Sequence, residues 1–164
     1  NLGLAIEGAS ILILGAGGAT RGIVGPLLEM QPTVLRIANR TVDKAEYIAE
    51  DFSHVGPVTA CRFDLVPISE SYDLVINATS AGVHGETPPY PAAAISPNTI
   101  CYDLSYGLSP TPFSEWARAQ GAAKSVMGWG MLVEQAAESF HIWRGVRSHE
   151  AKSRDAALSS AARS

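Results

Sequence analysis

Residues Ser10–Gly22 read S-I-L-I-L-G-A-G-G-A-T-R-G, and the reading of the whole chain starts from them. Four apolar residues, Ile11 to Leu14, run directly into glycines. An apolar run with no polar alternation suits a strand buried on both faces of a parallel sheet. A helix must then carry the chain back across that sheet. Gly15 permits a sharp turn off the strand. Gly17 and Gly18, with no Cβ, let a pyrophosphate approach the backbone N–H groups at the helix N-terminus. The run departs from G-x-G-x-x-G: Thr20 stands where the third glycine would be, and Gly22 is the expected close-packing residue. A strand–turn–helix with no ligand is the competing reading, but the strand before and the helix after supply the context a nucleotide fingerprint requires.

Outward from this turn, strands and helices alternate. Leu2, Leu4 and Ile6 are expected to end a helix arriving from upstream. The first strand is Ile11–Leu14. The helix Gly18–Met30 places Ile23, Leu27 and Met30 on one face, and Pro26 inside it removes a backbone hydrogen bond. A second strand, Val34–Ala38, leads to Thr41 as N-cap of a helix Val42–Phe52, whose stripe is Ala45, Ile48, Ala49 and Phe52. Strands follow at Val58–Phe63, Leu74–Asn77 and Thr99–Leu104. The stretch Ala78–Pro97 is loop-rich. Thr111 precedes Pro112 at the start of a helix reaching Gln120. Ala123–Val126 has the makings of a short sixth strand, and a last helix, Met131–Trp143, presents Leu132, Ala136, Phe140 and Trp143 as its core face. The fold class is therefore α/β: a Rossmann-type, doubly wound parallel sheet of about six strands in the order 3-2-1-4-5-6, with ligand at the carboxyl ends near the switch point.

At 164 residues and 46% hydrophobic, the chain has the size of one domain with a real core. Its net charge of −4 and the lack of a basic stripe argue against nucleic acid. No apolar run has the length of a membrane span, and no signal peptide is seen. Cys61 and Cys101 lie in apolar stretches and are expected as buried thiols, with a reducing cytoplasm as the setting. His54, His84, His141 and His149 have no ligand spacing, so no metal site is expected. The chain begins at Asn1 rather than Met and reaches the nucleotide strand within ten residues, which suggests a piece of a longer polypeptide.

The end of the second strand selects the nucleotide. An NAD site carries an acidic residue there for the ribose 2′-OH. Here the strand ends Ala38-Asn39-Arg40-Thr41, with Lys44 one turn on and no carboxylate at that place. Arg40 offers a planar fork suited to a phosphate, Lys44 a second charge, and Asn39 and Thr41 further donors. Two cations at a helix start oppose the macrodipole unless an anion joins them. The constellation asks for a 2′-phosphate, hence NADP.

These residues belong to a wider pattern. G-A-G-G-A-T-R-G at Gly15–Gly22, N-R-T at Asn39–Thr41, N-A-T-S-A-G at Asn77–Gly82, Y-D-L-S-Y at Tyr102–Tyr106 and G-W-G-M-L-V-E-Q-A-A at Gly128–Ala137 stand in that order. Together they cover most of residues 10–146, and the combination resembles the shikimate/quinate dehydrogenase family. The resemblance implies reduction of 3-dehydroshikimate to shikimate with NADPH, in aromatic amino-acid biosynthesis. It implies that Gly15, Ala16, Gly17, Gly18 and Ala19 hold the pyrophosphate. Asn39, Arg40, Thr41 and Lys44 would hold the adenosine phosphate. Ala78, Thr79 and Ser80 would lie on the nicotinamide side, Leu104 and Gly128 would touch the cofactor, and Tyr106 and Gln135 the substrate. Read alone, Tyr106 is an ordinary loop aromatic and Gln135 a solvated helix residue.

The departures from the family pattern are Leu104 for Met, Trp129 for a smaller apolar residue and Met127 for Asp. They leave shikimate and quinate both open as substrates, and a free-standing NADP-binding module remains a rival of another class. The family's catalytic Lys–Asp pair belongs to a preceding substrate domain, so no catalytic residue is assigned here, and the isolated chain is expected to be inactive. Asp103, at the end of the fifth strand, is expected to be structural or to fix a loop. Residues 1–146 form the expected NADP domain, with 1–9 as a remnant of an inter-domain connection and 147–164 as a tail, either a short helix or a flexible end. Met131, Gln135, Ile142, Tyr106, Trp129 and the apolar first residues would form a bared face that favours a homodimer.

Overall fold

The structure, a computed structural model, describes residues 4–67, 71–81 and 89–144. Six strands form one parallel sheet: β1 (Ser10–Leu14), β2 (Val34–Asn39), β3 (Val58–Arg62), β4 (Leu74–Asn77), β5 (Ile100–Asp103) and β6 (Lys124–Met127). Their order is β3-β2-β1-β4-β5-β6, as expected from the alternation of elements. Helix α1 (Gly18–Glu29) follows β1, α2 (Val42–Phe52) follows β2, and α3 (Pro112–Ala119) precedes β6. The chain divides into two units, 1–127 and 128–164; the sheet and α1–α3 lie in the first. Within the second, the described structure is α4 (Trp129–Arg144), with Leu132 N–H donating to Gly128 O at 3.0 Å.

The strand alternation builds two cores, one on each face of the sheet. Ile11 and Ile13 point to a face covered by Val24 and Leu28 of α1 and Ala45 and Ile48 of α2. Leu12 and Leu14 point to the other, where Tyr90, Phe113 and Ala117 close over Val75 and Cys101. Ile11, Leu12, Ile13 and Leu14 are all fully buried, which is why that strand reads as an unbroken apolar run. Tyr90 packs edge-on against Phe113, with ring centroids 5.4 Å apart. Burial pushes the Cys101 thiol up to about 12, so it stays protonated and unreactive at neutral pH. Cys61 is half-buried, and neither cysteine is in a disulfide.

Helix starts follow local chemistry. Thr111 caps α3, its hydroxyl accepting from Ser114 N–H at 3.2 Å, and Pro112 occupies the first turn, where no donor is needed. Thr41 stands at the N-cap of α2, but its hydroxyl makes no cap bond. The expected stripe of α1 is corrected. Thr20, Val24 and Leu28 are the buried positions, whereas Ile23 and Leu27 are half-buried and Met30 is exposed. Residues 4–6 are irregular and lead into a turn at Glu7 and Gly8, so no helix arrives there; Leu2 lies outside the described residues. Leu4 and Ile6 pack partly buried against the α1–α2 core, which removes them from any bared face. The expected core face of α4 is corrected: Leu132 is half-buried, whereas Ala136, Phe140 and Trp143 are exposed. Among the described residues, no helix is long and apolar enough to cross a membrane.

Candidate functional site

The turn after β1 is fastened between the two strands that flank it. Gly15 N–H donates to Ala38 O of β2, and Ala78 N–H, at the end of β4, donates to Leu14 O, each at 2.8 Å. Gly15 has φ +101°, and a Cβ there would lie 2.9 Å from Ala78 O and 3.1 Å from Thr79 Cγ2. Only glycine serves both the conformation and the approach. Thr20, fully buried, donates its hydroxyl to Gly15 O at 2.8 Å and ties the turn to the first turn of α1. The threonine at the third-glycine position is thus a fastener.

Gly17 is the N-cap of α1 in extended conformation, with no side-chain cap bond and no acidic residue in the first turn. Gly17, Gly18 and Ala19 are exposed, and a Cβ at Gly17 or Gly18 would meet nothing within 4 Å. The start of this twelve-residue helix is therefore uncapped by a side chain and open to close approach, which suits an anion. Gly22 is not the close-packing glycine: a Cβ there also meets nothing within 4 Å. That role falls to Gly25, where a Cβ would lie 3.2 Å from the Phe52 ring.

A cleft of about 370 Å³ opens beside this turn, lined by Ala16, Gly17, Gly18, Arg21, Asp43, Lys44, Tyr47 and Ile48. It brings Ala16, Gly17 and Gly18 together with Lys44. Arg40 and Thr41 are exposed and lie outside the lining. Asn39 donates its amide to Thr41 O at 2.7 Å and so shapes the β2–α2 turn. Arg21 was not singled out in the sequence. The spacing of Lys44, Tyr47 and Ile48 on one face of α2 was the available signal that this helix faces a partner side chain.

A buried polar network sits at the ends of β4 and β5. The register pairs Asn77 with Asp103, and Asn77 Nδ2 donates to Asp103 Oδ1 at 2.9 Å. Asn77 Oδ1 accepts from Thr79 N–H at 3.2 Å and from the Thr79 hydroxyl at 2.7 Å, which fixes the loop Ala78–Ser80. Asp103 accepts from Ser105 N–H at 3.0 Å and from the Thr111 hydroxyl, so it fixes the next loop, as expected. Tyr90 closes the network through Thr79, 3.1 Å between the oxygens. Burial, with Asp103 adding to it, holds the Tyr90 phenol above its usual pKa. Leu104 N–H donates to Asn77 O at 2.9 Å and its side chain packs partly buried on the α1–α2 core; Tyr106 and Ser80 are exposed. Gly128 and the exposed Gln135 belong to the second unit. Gly82 and His84 lie outside the described residues.

Two family descriptions match the chain: Shikimate / quinate 5-dehydrogenase over residues 2–84, and Shikimate 5'-dehydrogenase C-terminal domain over residues 128–148. A relative from Methylococcus capsulatus named shikimate dehydrogenase (NADP(+)) is 54% identical over 147 residues, 90% of this chain and 52% of its own length. A crystal structure of an Ael1 enzyme from Pseudomonas putida is 43% identical with a TM-score of 0.82, covering 90% of this chain and 54% of that one. A crystal structure of a shikimate dehydrogenase in complex with NADP+ is 30% identical with a TM-score of 0.70, covering 88% and 52%. The chain spans about half the length of the curated relatives it matches.

Proposed function

This chain belongs to the shikimate/quinate 5-dehydrogenase family, and we propose that it is the NADP-binding half of a shikimate dehydrogenase, which reversibly reduces 3-dehydroshikimate to shikimate. The observation that carries the reading is the open glycine turn at the end of β1, a strand at the switch point of the sheet, sharing one cleft with Lys44 of α2. The residues present fit a dinucleotide. Gly17 and Gly18 leave the space a pyrophosphate needs, and no carboxylate ends β2 to select an unphosphorylated ribose.

In this reading the N–H groups of Gly15–Ala19 bind the pyrophosphate, and Asn39, Arg40, Thr41 and Lys44 surround the adenosine phosphate. Ala78–Ser80 take the nicotinamide side, held by the Asn77–Asp103 network, and Leu104 is assigned a contact with the cofactor. By the family resemblance Gly128 is assigned to the cofactor, and Tyr106 and Gln135 to the substrate. NADPH, when bound, supplies the hydride. The side chains of this half bind and orient; the acid–base pair for the accompanying proton is assigned to the remaining half of the full-length protein. A reducing cytoplasm suits the two unbridged thiols.

Calorimetric titration of the 164-residue chain with NADP+ and NAD+ tests the cofactor reading. NADP+ is expected to bind at least tenfold tighter, about 1.4 kcal/mol. Equal affinities, or no binding of either, would overturn it. Followed at the NADPH absorbance band with shikimate and NADP+ saturating, the same chain is expected to show no turnover; robust turnover would move the acid–base groups into this half.

A further inference from the structure

We propose that Arg21, one turn into α1, is a specificity-determining cation for the nucleotide's 2′-phosphate, acting with Lys44 across the cleft. The inference rests on the NADP reading above. Its first support is charge. The lining holds the cations Arg21 and Lys44 and one carboxylate, Asp43. Asp43 offsets one cation, so without Arg21 the lining carries no net positive charge to receive a dianionic group. Arg40, the cation the sequence pointed to, lies outside that lining.

The second support is position. Arg21 N–H donates to Gly17 O at 3.1 Å, so the residue belongs to the turn whose N–H groups face the pyrophosphate position. On α2, Lys44, Tyr47, Ile48 and Asp51 fall at intervals of three and four and so share a face. Arg21 lies against that face. Its guanidinium carbon sits 5.6 Å from the Tyr47 ring centroid, and one terminal nitrogen is paired with Asp51 Oδ2. Tyr47 and Asp51 thus hold the fork above the same helix that carries Lys44 in its first turn. An Asp–Arg pair with Arg21 exposed and Asp51 half-buried at the surface is weak, and an arriving phosphate with bidentate geometry can replace it. Asp51 is then a competitor for the fork, which sets a discrimination that simple loss of structure would not give.

Calorimetry of the 164-residue chain with NADP+ and NAD+ decides the matter. Arg21→Ala is expected to weaken NADP+ about tenfold and NAD+ less than twofold, while Asp51→Asn tightens NADP+ about two- to threefold and leaves NAD+ alone. A wild-type chain that fails to prefer NADP+ refutes the cofactor reading itself, whatever Arg21 does. A wild type that prefers NADP+ while Arg21→Ala keeps the same preference overturns the role of Arg21, as does equal weakening of both nucleotides. Should Arg21→Ala fail to fold, Asp51→Asn alone still decides, because unchanged or weaker NADP+ binding there refutes the competition.

Discussion

The turn after β1 and the junction of β4 with β5 lie next to each other along the sheet and hold their shapes by opposite means. The first depends on an atom that is absent. Gly15 sits at φ +101° with Ala78 O where its Cβ would be, and the β2 and β4 backbones close around it. The second depends on atoms that must be present. Asn77 and Asp103 are both about 1% exposed, and the polar atoms bonded between them have no water to turn to. The turn is intolerant of addition, the junction of deletion. The turn faces the open cleft and the junction fixes the two loops beside it, so the candidate site has one steric wall and one polar wall.

The largest effect is expected from adding a side chain to the turn. Gly15→Ala forces alanine into the left-handed region, about 1–3 kcal/mol. It also sets a methyl 2.9 Å from backbone, where overpacking costs about 1–3 kcal/mol more. A loss of about 4 kcal/mol in urea unfolding is expected, together with loss of nucleotide binding. A loss below about 1 kcal/mol would break the comparison at its steric end.

Deletion at the junction comes next. Asp103→Ala leaves the buried Asn77 Nδ2 without its acceptor, at about 1–3 kcal/mol. It also leaves the Thr111 hydroxyl, which caps α3 while donating to Asp103, without its acceptor, at about 1 kcal/mol more. About 3 kcal/mol is expected, with Asp103→Asn recovering part of it by keeping one carbonyl oxygen. If Asp103→Ala proves neutral in urea unfolding, the network does not hold the loops.

These two walls were not equally legible. The glycine turn is local: strand, glycines and helix follow one another, and the order and direction of all six strands follow from repeating that unit. The bounds of α2 and β4 are those the sequence predicts, and other ends shift by one or two residues, because the last residue of a strand depends on the neighbour it pairs with. The junction is not local. Asn77 and Asp103 stand 26 residues apart, and only the β4–β5 register brings them opposite each other. Asp103 was readable as a loop-fixing residue, but its partner was not. Arg21 escaped for a related reason: its guanidinium is placed by Tyr47 and Asp51 of another helix. The buried stripe of α1 lies one position from the one the apolar spacing predicts, because Thr20, a polar residue, anchors the buried face through Gly15.

Thr20 supplies the smallest test and the sharpest, since it puts a polar fastener inside the steric wall. Its side chain is fully buried and its hydroxyl donates to Gly15 O. Thr20→Val keeps the shape and removes the hydroxyl, leaving a buried carbonyl with one partner fewer. Because the Gly15 turn is also fixed by Gly15 N–H to Ala38 O and Ala78 N–H to Leu14 O, the loss stays near 1 kcal/mol. It should be local: amide exchange at Gly15 and Ala78 is expected to quicken, while exchange at Cys101 and Tyr102 on β5 keeps its wild-type rate. A loss as large as that of Asp103→Ala would mean that the turn, like the junction, is held chiefly by its polar contacts. Thr20→Ser, which restores the hydroxyl, is expected to return Gly15 exchange to its wild-type rate; failure to do so would place the effect in the lost methyl packing and not in the bond.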